Sequence, residues 1–433
     1  MDLLTANDKP GEYPRSYYAD SAKHLDRFPP AIGDLECDVC VVGAGFTGLS
    51  TAYHLAQRGY DVVVVEAQRV GFGASGRNGG QASMGQRRDQ EDLEAMVGDA
   101  HARALWDIGA QAVDLVRTLC TKDEVHTTFH PGIVHTANRK RDHAHNQAYV
   151  DHMRHKYSYD KVSLLDADAC RQIVNSPAYH GGVLDMGSGH VNPLELVLGL
   201  ARLAVTSGAR IFEGSKVERV DEGDPATVTT AQSTIKARYV VLGCNGYLGT
   251  MHKHVAARVM PINNFIVSTK PMSPEAQEQI IRNNYAVADS KFVVNYFRFS
   301  EDHRLLFGGG ESYGYIFPTD IAGAVRKPLA EIFPQLQDVE IDHAWGGTLG
   351  ITMNRMPHYE RIAGNILTMS GFSGSGVALG TLSGQIAAEA IAGQAERFDV
   401  MAKVPTLSFP GGPRFRSPLL VLAMLWYSLR DRL

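Results

Sequence analysis

The chain has 433 residues, of which 44% are hydrophobic and 21% charged, a composition typical of globular proteins of two or three domains. Forty-two basic residues against 47 acidic ones give a net charge of −5, which argues against a nucleic-acid-binding protein because such proteins need clustered positive charge. The five cysteines are too few and odd in number for a disulfide-stapled secreted fold. With an acidic, Pro-containing start in place of a signal peptide, we expect a cytoplasmic protein.

The first recognisable unit begins near Asp38. DVCVV is typical of a buried parallel strand, FTGLSTAYHLAQR of a helix that ends at Gly59, and DVVVVE of a second buried strand. This order of strand, helix and strand predicts a βαβ unit.

A G-x-G-x-x-G fingerprint, formed by Gly43, Gly45 and Gly48, joins that strand to that helix. The glycines permit a tight turn, a close approach of the backbone to a pyrophosphate, and close packing of helix on strand. Glu66 ends the second strand, where a carboxylate accepts hydrogen bonds from ribose hydroxyls and repels a 2′-phosphate. The sequence therefore predicts a dinucleotide site that disfavours NADP.

The rest of the chain alternates between helical, α/β and β-rich segments. A Gly-rich loop, GFGASGRNGGQ, covers residues 71–81, and polar helical sequence follows at about 92–120 and 139–157. Helix and strand patterns return from 192 to 246, β-rich runs dominate 258–310, and the segment from Asn365 indicates a strand, a Gly-rich turn and a helix. We expect an antiparallel sheet inserted into an α/β body.

NAD and FAD both use such a fingerprint for their ADP half. The fingerprint lies near the amino terminus, and the loop at 71–81 offers many backbone amides, which suits a cofactor larger than NAD.

Several stretches together resemble the D-amino-acid oxidase superfamily of FAD enzymes. They are DVCVVGAGFTGLSTAYHL, VVVVEA and GFGASGRNGGQ, joined by SYYADSA, HPGIV, NYFRFSEDHRLLFGGG and the FPGG-containing end of the chain. Within the superfamily they are similar to the γ-glutamylputrescine oxidase group, and the likeness covers nearly the whole chain.

The resemblance implies a two-domain α/β and β flavoprotein of the glutathione-reductase type. A discontinuous Rossmann-like FAD-binding domain would comprise residues 36–90, 165–256 and 345–400. An antiparallel-sheet substrate domain would comprise 91–164 and 257–344, and 401–433 would form a tail.

The resemblance also implies a set of residues that hold FAD. They are Gly43, Gly45, Phe46, Thr47, Gly48, Glu66, Ala67, Gly73, Ala74, Ser75, Gly76, Arg77, Asn78, Gly79, Gly80, Gln81, Val217, Asn245, Gly246, Gly371, Phe372, Gly374, Gly376 and Val377. The sarcosine oxidase branch carries its flavin-linked cysteine late in the chain, and none of the five cysteines here lies beyond Cys244. The FAD is therefore expected to be non-covalent.

Substrate contacts are expected from the β-rich segments and from the last Gly-rich turn. Arg298 would bind a substrate carboxylate, since arginine recognises carboxylates in a bidentate way, and Glu311 would meet a substrate ammonium. Tyr296 and Trp345 would line an aromatic pocket that favours the neutral amine. Ser375 stands where relatives commonly carry a histidine facing the flavin. No residue is selected as a catalytic acid or base, and no metal site is predicted.

The expected reaction is oxidation of γ-glutamylputrescine or a related amine to an imine or aldehyde, with O2 as electron acceptor. An alternative is oxidation of a cyclic imino acid such as L-pipecolate, and another is transfer of electrons to a quinone or partner protein. The apolar segment from Leu419 to Tyr427 is too short to cross a bilayer. It is either a docked terminal helix or a peripheral membrane contact.

Two further patterns are interpreted as structural. Cys37 and Cys40 lie three residues apart on a strand and should face opposite sides of it, so we expect core packing rather than a redox pair. The histidines between His101 and His155 are expected to lie on solvated helical faces.

Overall fold

The computed structural model describes residues 2–249 and 251–410. The prediction for the apolar segment near the carboxyl terminus, from Leu419 to Tyr427, falls outside the described residues.

The strands occur along the chain in the following order. They are β1 (Gly33–Val42), β2 (Val62–Val65), β3 (Gln81–Ala82), β4 (His130–Thr136), β5 (Val162–Leu165), β6 (Gly182–His190), β7 (Arg210–Phe212), β8 (Val217–Asp221), β9 (Ala226–Thr230), β10 (Ser233–Leu242), β11 (Met260–Thr269), β12 (Ala286–Asp289), β13 (Tyr296–Phe299), β14 (Leu305–Ser312), β15 (Ile341–Ile351), β16 (His358–Arg361) and β17 (Ile366–Ser370).

The helices are interspersed with these strands. They are α1 (Tyr17–Ser21), α2 (Phe46–Ala56), α3 (Gln90–Val97), α4 (Asp99–Leu119), α5 (Asp142–Tyr157), α6 (Ala167–Ile173), α7 (Pro193–Thr206), α8 (Lys253–Arg258), α9 (Pro274–Ile280), α10 (Ile321–Ile332), α11 (Gly376–Ile391) and α12 (Glu396–Ala402).

The first sheet contains the predicted βαβ unit. Its strand order is β16-β17-β10-β1-β2-β7, and the pairs β17/β10, β10/β1, β1/β2 and β2/β7 are parallel. The hairpin β8–β9 extends from β10. Helices α2, α4, α7 and α11 pack in one hydrophobic core against this sheet. Val62 and Val64 of β2 join this core and Val63 and Val65 join a second cluster, so β2 is buried on both faces.

The second sheet has the order β15-β11-β14-β13-β12-β4-β6-β3, with β5 paired to β6. It is antiparallel except for the pair β12/β4. Helices α6, α9 and α10 contribute to the hydrophobic cluster on one face. Ile266, Leu306 and Trp345 join the core of the first sheet. The predicted Rossmann-like body and inserted antiparallel sheet are therefore confirmed.

The domain boundaries stay a prediction, and sheet membership cuts across them. Strands β3, β6 and β15 belong to the second sheet, although β3, β6 and most of β15 fall within residues 36–90, 165–256 and 345–400, which we predicted to form the FAD-binding domain. Helix α4 packs in the core of the first sheet, although it falls in the segment 91–164 predicted for the substrate domain. Hydrophobic periodicity identifies an element but does not say which sheet it joins.

The expectation that Cys37 and Cys40 face opposite sides of β1 is wrong. The N–H groups of Asp38 and Val39 both donate to the Asp61 carbonyl, at 3.0 and 3.1 Å, which marks a bulge that shifts the alternation of side chains. Both cysteines consequently contact the same hydrophobic cluster, where they are free thiols. Burial raises the pKa of the Cys37 thiol to about 12.

The part of the chain that the structure describes contains no helix that is both long and apolar enough to cross a membrane.

Candidate active site

A cleft of about 800 Å³ lies at the carboxyl ends of the parallel strands β1, β2 and β10, the edge where open α/β sheets bind ligands. Segments that are far apart in the chain form its walls. They are residues 42–47, 65–67, 72–75, 216–219, 243–249 and 372–374.

The fingerprint glycines are required by close backbone contacts. Gly43 has φ +101°, and a Cβ at Gly48 would lie 1.9 Å from the Gly43 carbonyl oxygen. A Cβ at Gly45 would lie 2.8 Å from Ser75 Oγ, which instead accepts a hydrogen bond from the Phe46 N–H at 3.0 Å. Helix α2 therefore begins without a side-chain cap at Gly45, and its positive end faces the cleft.

Glu66 lies on the cleft wall beyond β2. Its carboxylate accepts hydrogen bonds from the Ala44 N–H at 2.8 Å and the Gln68 N–H at 2.9 Å. Burial raises the pKa of Glu66 above its ordinary value, although the two backbone donors act in the opposite direction. The remaining lone pairs are placed as the fingerprint requires for a ribose diol.

The Gly-rich loop is braced by one of its own side chains. Asn78 donates to the carbonyls of Ala74 and Ser75, both at 3.0 Å, and accepts from the Gly80 N–H at 2.8 Å. Ala74, Ser75 and Asn78 line the cleft, so the loop presents a fixed backbone surface to it.

Seven of the predicted FAD residues lie outside the cleft lining: Gly48, Gly76, Arg77, Gly79, Gly80, Gln81 and Gly371. The glycines allow close packing behind the wall: a Cβ at Gly80 would lie 2.1 Å from the Val191 carbonyl oxygen. The Gln81 amide donates to the Val287 carbonyl at 2.8 Å.

The Arg77 side chain is also committed elsewhere. It forms an ion pair with Asp8 at 2.8 Å, and it donates to the carbonyls of Phe72 and Gly346 at 2.6 and 3.2 Å. These contacts fasten the loop to the amino-terminal segment and to β15. We predicted that Arg77 would contact the cofactor, but it is not among the residues that line the cleft.

The last Gly-rich turn closes the far end of the cleft. The Gly371 N–H donates to Asn245 Oδ1 at 2.9 Å, and Ser373 has φ +53°. Ser375 precedes α11 and makes no side-chain capping bond, so the first amides of α11 stay free beside the lining residues Gly374 and Gly376. The positive end of this helix favours negative charge in the cleft.

The second sheet contributes Pro261, Leu349 and Gly350 to the cleft lining, whereas Tyr296 and Glu311 lie outside it. The ring of Tyr296 lies where a Cβ at Gly79 or Gly308 would be, at 2.6 and 2.2 Å, and its hydroxyl donates to Asn264 Oδ1. Asn264 is the direct partner of Glu311 across β11 and β14, and directly opposed residues share one face of a sheet. Tyr296 and Glu311 therefore lie on the face that meets the Gly-rich loop.

Arg298 and Trp345 do not take the places that we expected. The Arg298 guanidinium is 5% exposed, and it donates to four protein acceptors: the carbonyls of Gly79, Val191 and Phe299 and the hydroxyl of Tyr18. It also borders a separate small cavity of about 90 Å³.

The Trp345 indole is 2% exposed and donates to the Arg77 carbonyl at 3.0 Å. The Trp345 and Arg298 side chains thus hold the Gly-rich loop through Arg77 and Gly79.

Comparisons with known proteins agree with this geometry. Residues 38–390 match the family model described as DAO: FAD dependent oxidoreductase. The chain belongs to this family. It is 39% identical over 98% of its length to the gamma-glutamylputrescine oxidoreductase of Escherichia coli strain K12, covering 99% of that protein. It is 39% identical over 96% of its length to a probable oxidoreductase, OrdL, of Rhizobium meliloti, covering 97% of it.

Solved structures share the fold of this family member. L-proline dehydrogenase from P. horikoshii superposes with a TM-score of 0.70 at 20% identity, over 90% of this chain and 99% of that one. Glycine oxidase from Geobacillus kaustophilus gives a TM-score of 0.69 at 18% identity, over 83% and 95%.

FAD is the cofactor of this family, and the cleft residues fit it. The glycine turn and α2 would hold the pyrophosphate, Glu66 the ribose, and Val217 the adenine end of the cleft. Asn245 and Gly246 with the turn before α11 would hold the other end. A Cβ at Gly48 would strike the Gly43 carbonyl oxygen, so a glycine there lets α2 pack closely against the turn that lines the cleft.

Sequence reasoning missed several residues of the cleft. Leu3 and Leu4 of the amino-terminal segment line it, as does Tyr247, whose ring lies 3.3 Å from a Cβ placed at Gly73. The amino-terminal segment has no motif that would locate it. Tyr247 lies in the sequence GCNGYLG, where only the glycine spacing was considered and found wrong for a second fingerprint.

Proposed function

We propose that this FAD-dependent oxidoreductase is an oxidase of γ-glutamylputrescine or of a closely related amine. The observation that carries the proposal is the end-to-end match, at 39% identity, to a gamma-glutamylputrescine oxidoreductase. The match spans both sheets, and thus the wall that faces the cofactor cleft as well as the cleft itself.

The reaction removes two electrons and two protons from the CH–NH2 group of the amine, and water then converts the imine to an aldehyde and ammonia. When bound, FAD supplies the acceptor for the hydride of the α-carbon, and O2 as the final acceptor leaves as hydrogen peroxide. The protein has to hold the amine in its neutral form close to that acceptor.

The described residues support such a site through shape and charge. The Tyr296 ring packs directly against Gly79 of the Gly-rich loop. Burial raises the pKa of Glu311 above its ordinary value, and the hydroxyl of Tyr313 donates to this carboxylate at 3.0 Å. The free amino end of α11 lies beside the cleft and favours the negative charge that the reduced cofactor acquires.

Oxygen consumption and peroxide formation by the purified holoenzyme test this proposal. We expect a higher kcat/KM for γ-glutamylputrescine than for L-pipecolate. Preference for L-pipecolate would replace the proposed substrate with a cyclic imino acid. Reduction of the flavin by amine without oxygen consumption would replace O2 with another acceptor.

A further inference from the structure

Three charged side chains outside the cleft lining form no ion pair with any described residue. They are Arg87, Arg355 and Glu311. Among the described residues, none of the three has an oppositely charged side-chain atom within the 4.0 Å of an ion pair. Partly enclosed charges without a partner are costly, so such a group is a candidate for binding the charges of a ligand.

Arg87 is anchored to the last Gly-rich turn, whose residues Ser373 and Gly374 line the cleft. The Arg87 Nε donates to the Ser373 carbonyl at 3.0 Å, and a Cβ at Gly374 would lie 3.8 Å from that nitrogen. This leaves the two terminal nitrogens of the guanidinium without a partner among the described residues. Arg87 is exposed to solvent, and burial of part of its side chain together with the charge of Arg355 lowers its pKa.

Arg355 is held in a turn that is bound to the same Ser373. The Thr352 N–H donates to Ser373 Oγ at 3.3 Å, and the Thr352 hydroxyl donates to the Met356 carbonyl at 2.6 Å. Arg355 has φ +66°, an uncommon conformation for a side chain of this size. Its guanidinium lies 5.7 Å from the centre of the Phe292 ring.

Glu311 supplies the opposite charge from the second sheet. It lies on the loop-facing side of β14, beside Asn264 and Tyr296, and Tyr313 holds its carboxylate. Burial raises the pKa of Glu311, whereas the Tyr313 hydroxyl and the charges of Arg355 and Arg87 act in the opposite direction, so both arginines are near enough to act on this carboxylate. We call Arg87, Arg355 and Glu311 the charged recess.

We infer that the charged recess binds the zwitterionic head of the substrate, with the arginines holding a carboxylate and Glu311 an ammonium. The inference rests on the proposed function and deepens it. The substrate class is then an amine that also carries a free α-amino-acid group, as a γ-glutamyl amide does. A simple diamine has no carboxylate for the arginines, and a cyclic imino acid has no second ammonium for Glu311.

Two amide substrates of the holoenzyme test this assignment. γ-Glutamylputrescine carries the zwitterionic head, whereas N-acetylputrescine has the same amide and the same oxidisable amine with a neutral methyl group instead. We expect the wild-type protein to show at least a tenfold higher kcat/KM for the first. Glu311→Gln and Arg87→Gln should each raise KM for γ-glutamylputrescine about tenfold, which corresponds to about 1.4 kcal/mol, and leave KM for N-acetylputrescine unchanged.

A matched control is Glu340→Gln, at the residue directly before β15 of the same sheet. Glu340 is exposed and pairs with Lys270, so this variant removes the same charge away from the recess and should leave both KM values unchanged. The γ-glutamyl amide of methylamine, which has the head but lacks the oxidisable amine of the putrescine arm, should inhibit the wild-type enzyme competitively. It should inhibit Glu311→Gln at least tenfold less well.

The outcomes separate this inference from the proposed function. Equal kcat/KM for the two amides in the wild-type protein, or an equal rise in KM for both in the variants, would overturn the charged recess and leave amine oxidation standing. Oxidation of neither amide would overturn the proposed function itself. The flavin content and the unfolding temperature of the variants should match those of the wild type. A decrease in either would mean that these side chains stabilise the fold and would overturn their assignment to substrate binding.

Discussion

The two walls of the active site are built in different ways. The nucleotide-binding wall consists of backbone turns in which glycines touch backbone oxygens, as at Gly48 and Gly43. The wall that we propose faces the substrate consists of side chains from separate strands and loops, and three of them carry charges that form no ion pair with any described residue. We therefore expect flavin binding to be lost when a side chain is added in the first wall, and substrate binding to weaken when a charge is removed from the second.

The largest effect is expected at Gly48. A Cβ there would lie 1.9 Å from the Gly43 carbonyl oxygen, so Gly48→Val should displace the turn and abolish retention of FAD, measured as flavin per chain after purification. Gly314→Ala is the control, because a Cβ at Gly314 meets no atom within 4 Å. A yellow Gly48→Val protein with normal flavin content would refute the proposed constraint on this turn.

Replacement of Arg298 is expected to lower the stability of the fold and the retention of flavin, and to change KM much less. Arg298→Met would leave several buried acceptors unpaired, each worth about 1–3 kcal/mol, and would release the Gly-rich loop at the Gly79 carbonyl. We expect a loss of about 3 kcal/mol or more in the free energy of unfolding, measured by denaturant titration, and a weaker hold on FAD. A tenfold rise in KM with unchanged stability would instead indicate that Arg298 binds the substrate.

Tyr313 should have a smaller effect that is confined to the substrate head. Tyr313→Phe removes the hydrogen bond to Glu311, so we expect KM for γ-glutamylputrescine to rise roughly threefold to tenfold, as for a bond worth about 1 kcal/mol, with KM for N-acetylputrescine unchanged. Steady-state kinetics on both amides would measure this. An equal change for both would mean that Tyr313 shapes the pocket as a whole.

The smallest effect is expected at Cys244. It lines the cleft, and its thiol contacts the Val42 carbonyl at 3.4 Å, but burial raises the pKa of this thiol to about 12 and so keeps it protonated. Cys244→Ser should keep its flavin, and denaturation of the wild-type protein should release all of the flavin into the supernatant. Flavin that stays with the denatured chain would contradict non-covalent binding.

The same contrast explains how much could be predicted from sequence. The fingerprint from Gly43 to Gly48, the acid at Glu66 and the loop at 71–81 are contiguous, and the backbone rules that govern them act over a few residues. These local features predicted the βαβ unit, and with the resemblance they indicated the cofactor.

The substrate wall required information that a single sequence does not display. The arginine in NYFR was predicted to bind substrate, but strand pairing turns Arg298 toward the carbonyls of Gly79 and Val191. Arg87 was missed, because its position depends on Ser373, which is 286 residues away in the chain. Glu311 could be proposed from its position after FGGG, but its partners could not.

The central claim is that this family member oxidises a γ-glutamyl amine, and anaerobic reduction of the bound flavin tests it most directly. Mixing the purified yellow protein with γ-glutamylputrescine in the absence of oxygen should bleach the long-wavelength flavin band completely with one equivalent of substrate. A flavin band that stays unchanged at excess substrate, in protein with a full complement of FAD, would contradict the account.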